Sequence, residues 1–296
     1  MRFDAWNATF PNVALEEVEQ LLETSIGESL EPQKRGLLGY LFSYLVKVGG
    51  STHGVLAHGG VNSRFFVEVK GEAAQSWSES VQTWAAGWTG EGDAVRLTRA
   101  DVCFDWMDSR DTVTLSGPLR AAVDSGIAST TVRHLHWDMQ GDWNSEEGRS
   151  RGCTLYMGSP KSAVRIRLYD KGCQLIGQGI EASRLLRRAE VQVRPASTEE
   201  KTAWAMLGPS SFWTITKSVR TVAEFIGIPA EGNMVRAPSA PADLERRKTL
   251  LSAQYSDAVV ALIEDLLPMA RDTHHLGRLL ASEVAKRKRQ FFRQVA

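Results

Sequence analysis

Asp101, Asp105, Glu190, Tyr169 and Lys171 are the residues of this chain whose types and spacing could do chemistry. The three carboxylates are hard oxygen donors, suited to Mg²⁺ or Mn²⁺, ions that keep positions for water and for substrate phosphate oxygens. Tyr169 is a candidate nucleophile. A phenol with an ordinary pKa near ~10 attacks at neutral pH only with help, and Arg167, Lys171 and a bound metal would all favour the phenolate. Lys171, two residues on, could also offset the charge that builds on a phosphate under attack. Together these groups suit phosphate chemistry. The same charges also have a plainer reading, in which the carboxylates pair with Arg99, Arg188 and Arg194 on a solvated sheet and Tyr169 simply packs in a strand.

The elements that must position these groups show in the alternation of the sequence. Leu97 to Asp105, Val164 to Lys171 and Leu186 to Arg194 each alternate apolar and polar residues with period two, the pattern of a half-buried strand. Ala100, Val102 and Phe104 fall on one face of the first; Arg99, Asp101, Cys103 and Asp105 fall on the other. The second sets Val164, Ile166 and Leu168 against Arg165, Arg167, Tyr169 and Lys171. The third sets Ala189, Val191 and Val193 against Arg188, Glu190, Gln192 and Arg194. If the three share a sheet, one polar face carries the acids, the tyrosine, the lysine and the arginines. The turn Gly158-Ser159-Pro160-Lys161-Ser162 feeds the Tyr169 strand with backbone amides, hydroxyls and a lysine that could hold a phosphate. His134 and His136 share a strand face at a spacing able to bind a metal, although such a pair more often packs or faces solvent.

Bulk properties limit the reading. The 296 residues carry 35 basic and 35 acidic side chains, a formal net charge of zero that argues mildly against a polyanion partner. The distribution argues the other way: from Arg149 to Arg194 there are ten Lys or Arg against three acids, and local charge is what meets a phosphate backbone. Three scattered cysteines match no disulfide or metal spacing. With no signal peptide pattern and no membrane-length apolar run, a cytoplasmic protein without membrane partners is expected.

Along the chain, Arg2 to Phe10 reads as a strand and Ala14 to Ile26 as a helix. Leu41 to Val48, Gly54 to Ala57 and Phe65 to Val69 read as antiparallel strands. Trp77, Val81, Trp84 and Trp88 recur at helical spacing between Glu72 and Trp88, the buried stripe of an amphipathic helix. A short helix is expected near Pro118 to Asp124, a strand around Thr131 to Trp137 and a polar loop from Gly141 to Arg151. Thr154 to Ser159 and Val164 to Tyr169 form a hairpin, and helices follow at Thr198 to Ala205 and Ser211 to Ile226. Residues 228–242, rich in Pro, Ala, Gly and Ser, read as a linker between a domain at 1–227 and a helical region at 243–296, with helices over 244–267 and 276–295. The fold class is α+β: a mainly antiparallel sheet, helices packed on one face, an open charged face and a helical C-terminal appendage.

Arg99-Ala100-Asp101 with Asp105, Thr154-Leu155-Tyr156-Met157-Gly158-Ser159-Pro160-Lys161-Ser162, Arg167-Leu168-Tyr169-Asp170-Lys171 and Arg188-Ala189-Glu190, in this order, resemble the replication initiation factor family. That family includes rolling-circle initiators of plasmids and filamentous phages and the relaxases of some integrative elements. The resemblance runs to about residue 226, and Pro160 departs from the basic residue common in its turn. It implies a site-specific enzyme that nicks and rejoins one strand of single-stranded or supercoiled origin DNA. Tyr169 would stay joined to the 5′ phosphate and leave a 3′ hydroxyl primer, with Lys171 as electrostatic support. Asp101, Asp105 and Glu190 would hold Mg²⁺ or Mn²⁺. Arg99, Ser159, Lys161, Arg165, Arg167, Arg188 and Arg194 would contact DNA. A host polymerase would extend the primer, and without a Walker phosphate loop a host helicase would unwind. The C-terminal helices could meet DNA, a helicase or a second copy, giving a homodimer. Two alternatives stay open: a metal-dependent nuclease that hydrolyses without a covalent stage, and a non-catalytic DNA-binding regulator.

Overall fold

The computed structural model describes residues 1–27, 29–59, 65–127 and 135–228, together with a few positions from 263 to 282. Contacts divide the chain into two units, Met1–Ala237 and Pro238–Ala296. The linker, the helices expected over 244–267 and 276–295, and His134 lie, apart from a few positions, outside the described residues.

Among the described residues ten strands form one antiparallel sheet, in the order β2-β3-β4-β5-β1-β6-β10-β9-β8-β7. They are β1 (Arg2–Phe10), β2 (Ser29–Pro32), β3 (Phe42–Val48), β4 (Ser51–His58), β5 (Phe65–Lys70), β6 (Arg96–Met107), β7 (Trp137–Gln140), β8 (Thr154–Met157), β9 (Val164–Tyr169) and β10 (Leu186–Val193). The helices are α1 (Leu15–Ile26), α2 (Ala73–Ala86), α3 (Thr112–Ile127), α4 (Glu146–Ser150), α5 (Lys171–Gly177), α6 (Thr198–Ala205) and α7 (Lys217–Phe225). The α+β expectation holds, and β6, β10 and β9 are neighbours at the centre of one half of the sheet.

The apolar face carries the core. Trp6, Phe10, Val102, Val191 and Leu168 are buried against α2, α3, α6 and α7 through Trp77, Leu119, Trp204 and Val219. Trp77 from α2 meets Trp6 edge-on with ring centroids 6.4 Å apart and Phe10 at 6.1 Å, so the tryptophan stripe read from the sequence is what seats α2 on the sheet. Phe3 packs edge-on against Phe212 at 5.8 Å.

Several local expectations change. The helix around Pro118 is longer, with Pro118 inside it, and the polar loop contains the short α4. The helix expected over 211–226 is split: Pro209–Thr214 is a tighter 3₁₀ turn, and α7 starts afresh at Thr216, whose hydroxyl accepts from the Val219 amide at 3.2 Å. Of the strand expected around Thr131 to Trp137, residues 131–134 lie outside the described residues, 135 and 136 are not in a strand, and β7 begins at Trp137; β2 carries too little apolar alternation to have been read. The Tyr169 strand stops at Tyr169: Lys171 is the first residue of α5 rather than the last of β9.

Trp77 is fully buried among aromatic rings. Trp77→Ala is expected to cost about 3–5 kcal/mol of stability, measurable by urea unfolding followed by circular dichroism.

Candidate active site on the polar face

Residues directly opposite one another in antiparallel strands share a face, so the register builds the site row by row. Arg188 lies between Asp105 on β6 and Tyr169 on β9, and Tyr169 faces Thr154 on β8. In the next row Glu190 lies between Cys103 and Arg167, and Arg167 faces Tyr156. In the third, Gln192 lies between Asp101 and Arg165. Tyr169, Asp101, Asp105 and Glu190 therefore occupy one face, with Arg165, Arg167 and Arg188 among them.

Arginines hold the acids. Arg188 is buried and grips Asp105 with two hydrogen bonds, Nε at 2.5 Å and Nη2 at 2.7 Å, while its Nη1 donates to Asp4 at 3.0 Å. Arg2 adds a longer contact to Asp105 at 3.9 Å. Asp101 receives Arg99 through Nε at 2.8 Å and Nη2 at 2.5 Å, and Gln192 Nε2 at 3.2 Å. Arg167 touches both Asp101, at 3.7 Å, and Glu190 in a closer ion pair. Glu190 is 1% exposed, and neither of its oxygens receives an aligned hydrogen bond among the described residues. The plainer reading of the charges is thus present for Arg99 and Arg188. Arg194 instead donates to the Pro160 carbonyl at 2.8 Å and ties β10 to the turn before β9.

Asp4 is a member of the cluster that alternation in β1 does not announce. The register of β1 against β6 shifts between Phe3 and Ala5, and such an irregularity re-aims a side chain. Phe3 enters the core while Asp4 meets Arg188.

The three carboxylates are not gathered at one point. Asp101 and Glu190 converge on Arg167, whereas Asp105 lies one row away, held by Arg188. Among the described residues no group of three His, Cys, Asp or Glu side chains is placed to hold a metal ion. Asp101 and Glu190, buried hard donors already sharing one cation, are the pair whose chemistry fits a divalent ion. His136 is exposed and precedes β7, its carbonyl accepting from the Gly158 amide at 2.8 Å.

Tyr169 is half-buried. Burial raises its pKa, against the pull of Arg188, and Asp4 adds to the rise; Arg167 opposes it. The phenol is therefore neutral at neutral pH, where the cations of the sequence alone suggested a readier phenolate. Lys171 Nζ lies 6.0 Å from the centre of the Tyr169 ring and donates to Gln174 Oε1 at 2.9 Å. It reaches the ring from the start of α5, not by strand alternation. Burial lowers its pKa, and Arg188 lowers it further. Gly172 permits this arrangement: a Cβ there would stand 1.8 Å from the Ser183 carbonyl oxygen.

Asp170, beside Tyr169, points away from that face and is locked. Its carboxylate accepts from the Thr112 amide at 3.0 Å, the Thr112 hydroxyl at 2.9 Å and the Cys153 amide at 2.9 Å, and it pairs with the buried Arg187 at 3.2 Å. Four elements, α3, β8, β10 and the β9–α5 junction, thus meet at the residue after the tyrosine. In the turn, Ser159 and Ser162 bond each other, amide to hydroxyl at 3.1 Å and hydroxyl to hydroxyl at 3.0 Å, and Lys161 is exposed. Gly158, at φ 95°, shapes the turn; a Cβ would press the Val164 carbonyl oxygen at 2.9 Å.

Residues 95–227 match the family described as replication initiation factor. The matched segment runs from β6 through α7 and so contains every row of the site except the β1 contribution of Arg2 and Asp4; β1 to β5 lie outside it. A rolling circle replication initiator protein from Geobacillus stearothermophilus has a similar fold, with a TM-score of 0.51 and 16% identity over 78% of this chain and 98% of that one. No curated protein matches the chain. No helix among the described residues is long and apolar enough to cross a membrane.

Removing the Asp170 carboxylate would strand three donors and a buried guanidinium. Asp170→Ala is expected to cost about 3–5 kcal/mol. Asp170→Asn, which keeps an acceptor for Thr112, is expected to cost less, and thermal unfolding of the two variants orders them.

Proposed function

We propose that this protein initiates rolling-circle replication by nicking one strand of its origin through Tyr169. The observation that carries the reading is the register that sets Tyr169 beside Arg188, with Arg167 and the acid pair Asp101 and Glu190 in the adjoining rows. In the reaction the Tyr169 Oη attacks the scissile phosphorus. The new Tyr–O–P bond replaces the P–O bond to the 3′ oxygen; the phenol proton is lost, and the departing oxygen takes up a proton to become a 3′ hydroxyl. Phosphate charge that grows in this step is offset by the guanidinium groups of Arg188 and Arg167 and by Lys171. A Mg²⁺ or Mn²⁺ held by Asp101 and Glu190, with Asp105 four residues from Asp101 along β6, would polarise the phosphate when bound. Arg99, Arg165 and Arg194, with Ser159 and Lys161 at the turn, line the path of the strand. The 3′ hydroxyl would serve a host polymerase and a separate helicase would unwind the duplex.

The direct test is a labelled single-stranded origin oligonucleotide incubated with protein and Mn²⁺, then run on a denaturing gel. A protein–DNA adduct is expected from the wild type and none from Tyr169→Phe; cleavage that persists in Tyr169→Phe would instead mean attack by water. Asp101→Asn is expected to lower the nicking rate by at least about tenfold while DNA affinity is kept. The pH dependence follows from the raised phenol pKa. Because the ionised fraction grows as pH climbs toward a value above that of ordinary tyrosine, the single-turnover rate is expected to increase by up to roughly tenfold per unit between pH 6 and 8.

A further inference from the structure

The Tyr156 ring and the Arg165 guanidinium form a stacked pair, with the guanidinium carbon 3.9 Å from the ring centre. The pair stands on the polar face, and neither residue takes part in the arginine–carboxylate clamps. Tyr156 faces Arg167, and Thr154, its neighbour two positions along β8, faces Tyr169. Tyr156 is therefore the diagonal neighbour of Tyr169 across adjacent strands, about 7–8 Å away between backbones.

Charge decides which part of a DNA strand can lie over this pair. Arg165 makes no ion pair among the described residues, Arg167 is shared with Asp101 and Glu190, and the turn beyond them adds the exposed Lys161. These cations run along β9 and draw phosphates to that strand. On the opposite side of Tyr156, β7 presents Asp138 directly across from it, and a carboxylate there repels phosphate. A strand whose backbone follows β9 from Tyr169 toward the turn thus turns its bases toward β8.

We infer that the Tyr156–Arg165 pair is a stacking platform for an unpaired base next to the phosphate attacked by Tyr169. The inference rests on the nicking reading above and adds a binding residue to it. A flat aromatic ring capped by a flat guanidinium offers π-stacking to any base, with little preference among sequences. Its role is to fix the strand so that the neighbouring phosphate meets the phenol, which makes Tyr156 a residue of binding and not of bond-making.

The test compares two probes by fluorescence anisotropy: labelled oligothymidine of about sixteen nucleotides, and an oligomer of the same length with abasic sugars in place of nucleosides. Tyr156→Ala is expected to weaken oligothymidine binding roughly 5- to 100-fold while the abasic oligomer is bound as by the wild type. Tyr156→Phe is expected to stay within about twofold of the wild type on both probes. Tyr156→Leu keeps apolar bulk without a ring and is expected to behave as Tyr156→Ala; it carries the comparison if the alanine variant does not fold. Unchanged oligothymidine affinity in the folded variants, or an equal loss on both probes, would overturn the platform. If the wild type bound neither probe, the DNA-nicking reading itself would fall.

Discussion

A charge placed in the middle of a sheet must be matched within hydrogen-bond reach, because an unpaired ion out of water costs several kcal/mol. β10 meets this condition with Arg188 and Glu190 two residues apart, both nearly inaccessible. Each finds its counter-ion on a neighbouring strand: Asp105 on β6 for the arginine and Arg167 on β9 for the glutamate. Those pairings require β10 to lie between β6 and β9 in one register. A slip by one residue would turn both charges into the apolar core.

The same constraint organises the site. Guanidinium groups fixed by carboxylates are ordered in advance, so on the proposed reading a phosphate would meet them with less ordering left to do. Desolvation that makes the pairs tight also keeps Tyr169 protonated and works against the charge on Lys171. Cations near a phenol are therefore not enough to ionise it. The burial that brings them close opposes them.

Behind the polar face, the Asp170 cluster links Tyr169 to the rest of the fold. Tyr169 and Asp170 are adjacent in sequence, yet one faces the arginines and the other anchors α3, β8 and β10 through Thr112, Cys153 and Arg187. The strand ends there because Asp170 is held by groups that lie off the line of β9, and Gly172 then lets α5 turn tightly past Ser183. Lys171 arrives over the phenol as a result of that turn.

Much of this was legible in the sequence. Period-two alternation set the strands β6, β9 and β10 and the face on which Asp101, Asp105, Glu190 and Tyr169 would lie, and helical spacing of Trp77, Val81 and Trp84 marked α2. Both patterns are local consequences of which side of an element meets water. Sequence could not decide that Lys171 leaves the strand, that Asp4 joins the site through an irregular pairing, or that Asp105 is drawn to Arg188 while Asp101 and Glu190 share Arg167. Each of these depends on which residue stands opposite on a strand distant in the chain. Alternation fixes the face of a side chain; only the register between strands fixes its neighbours.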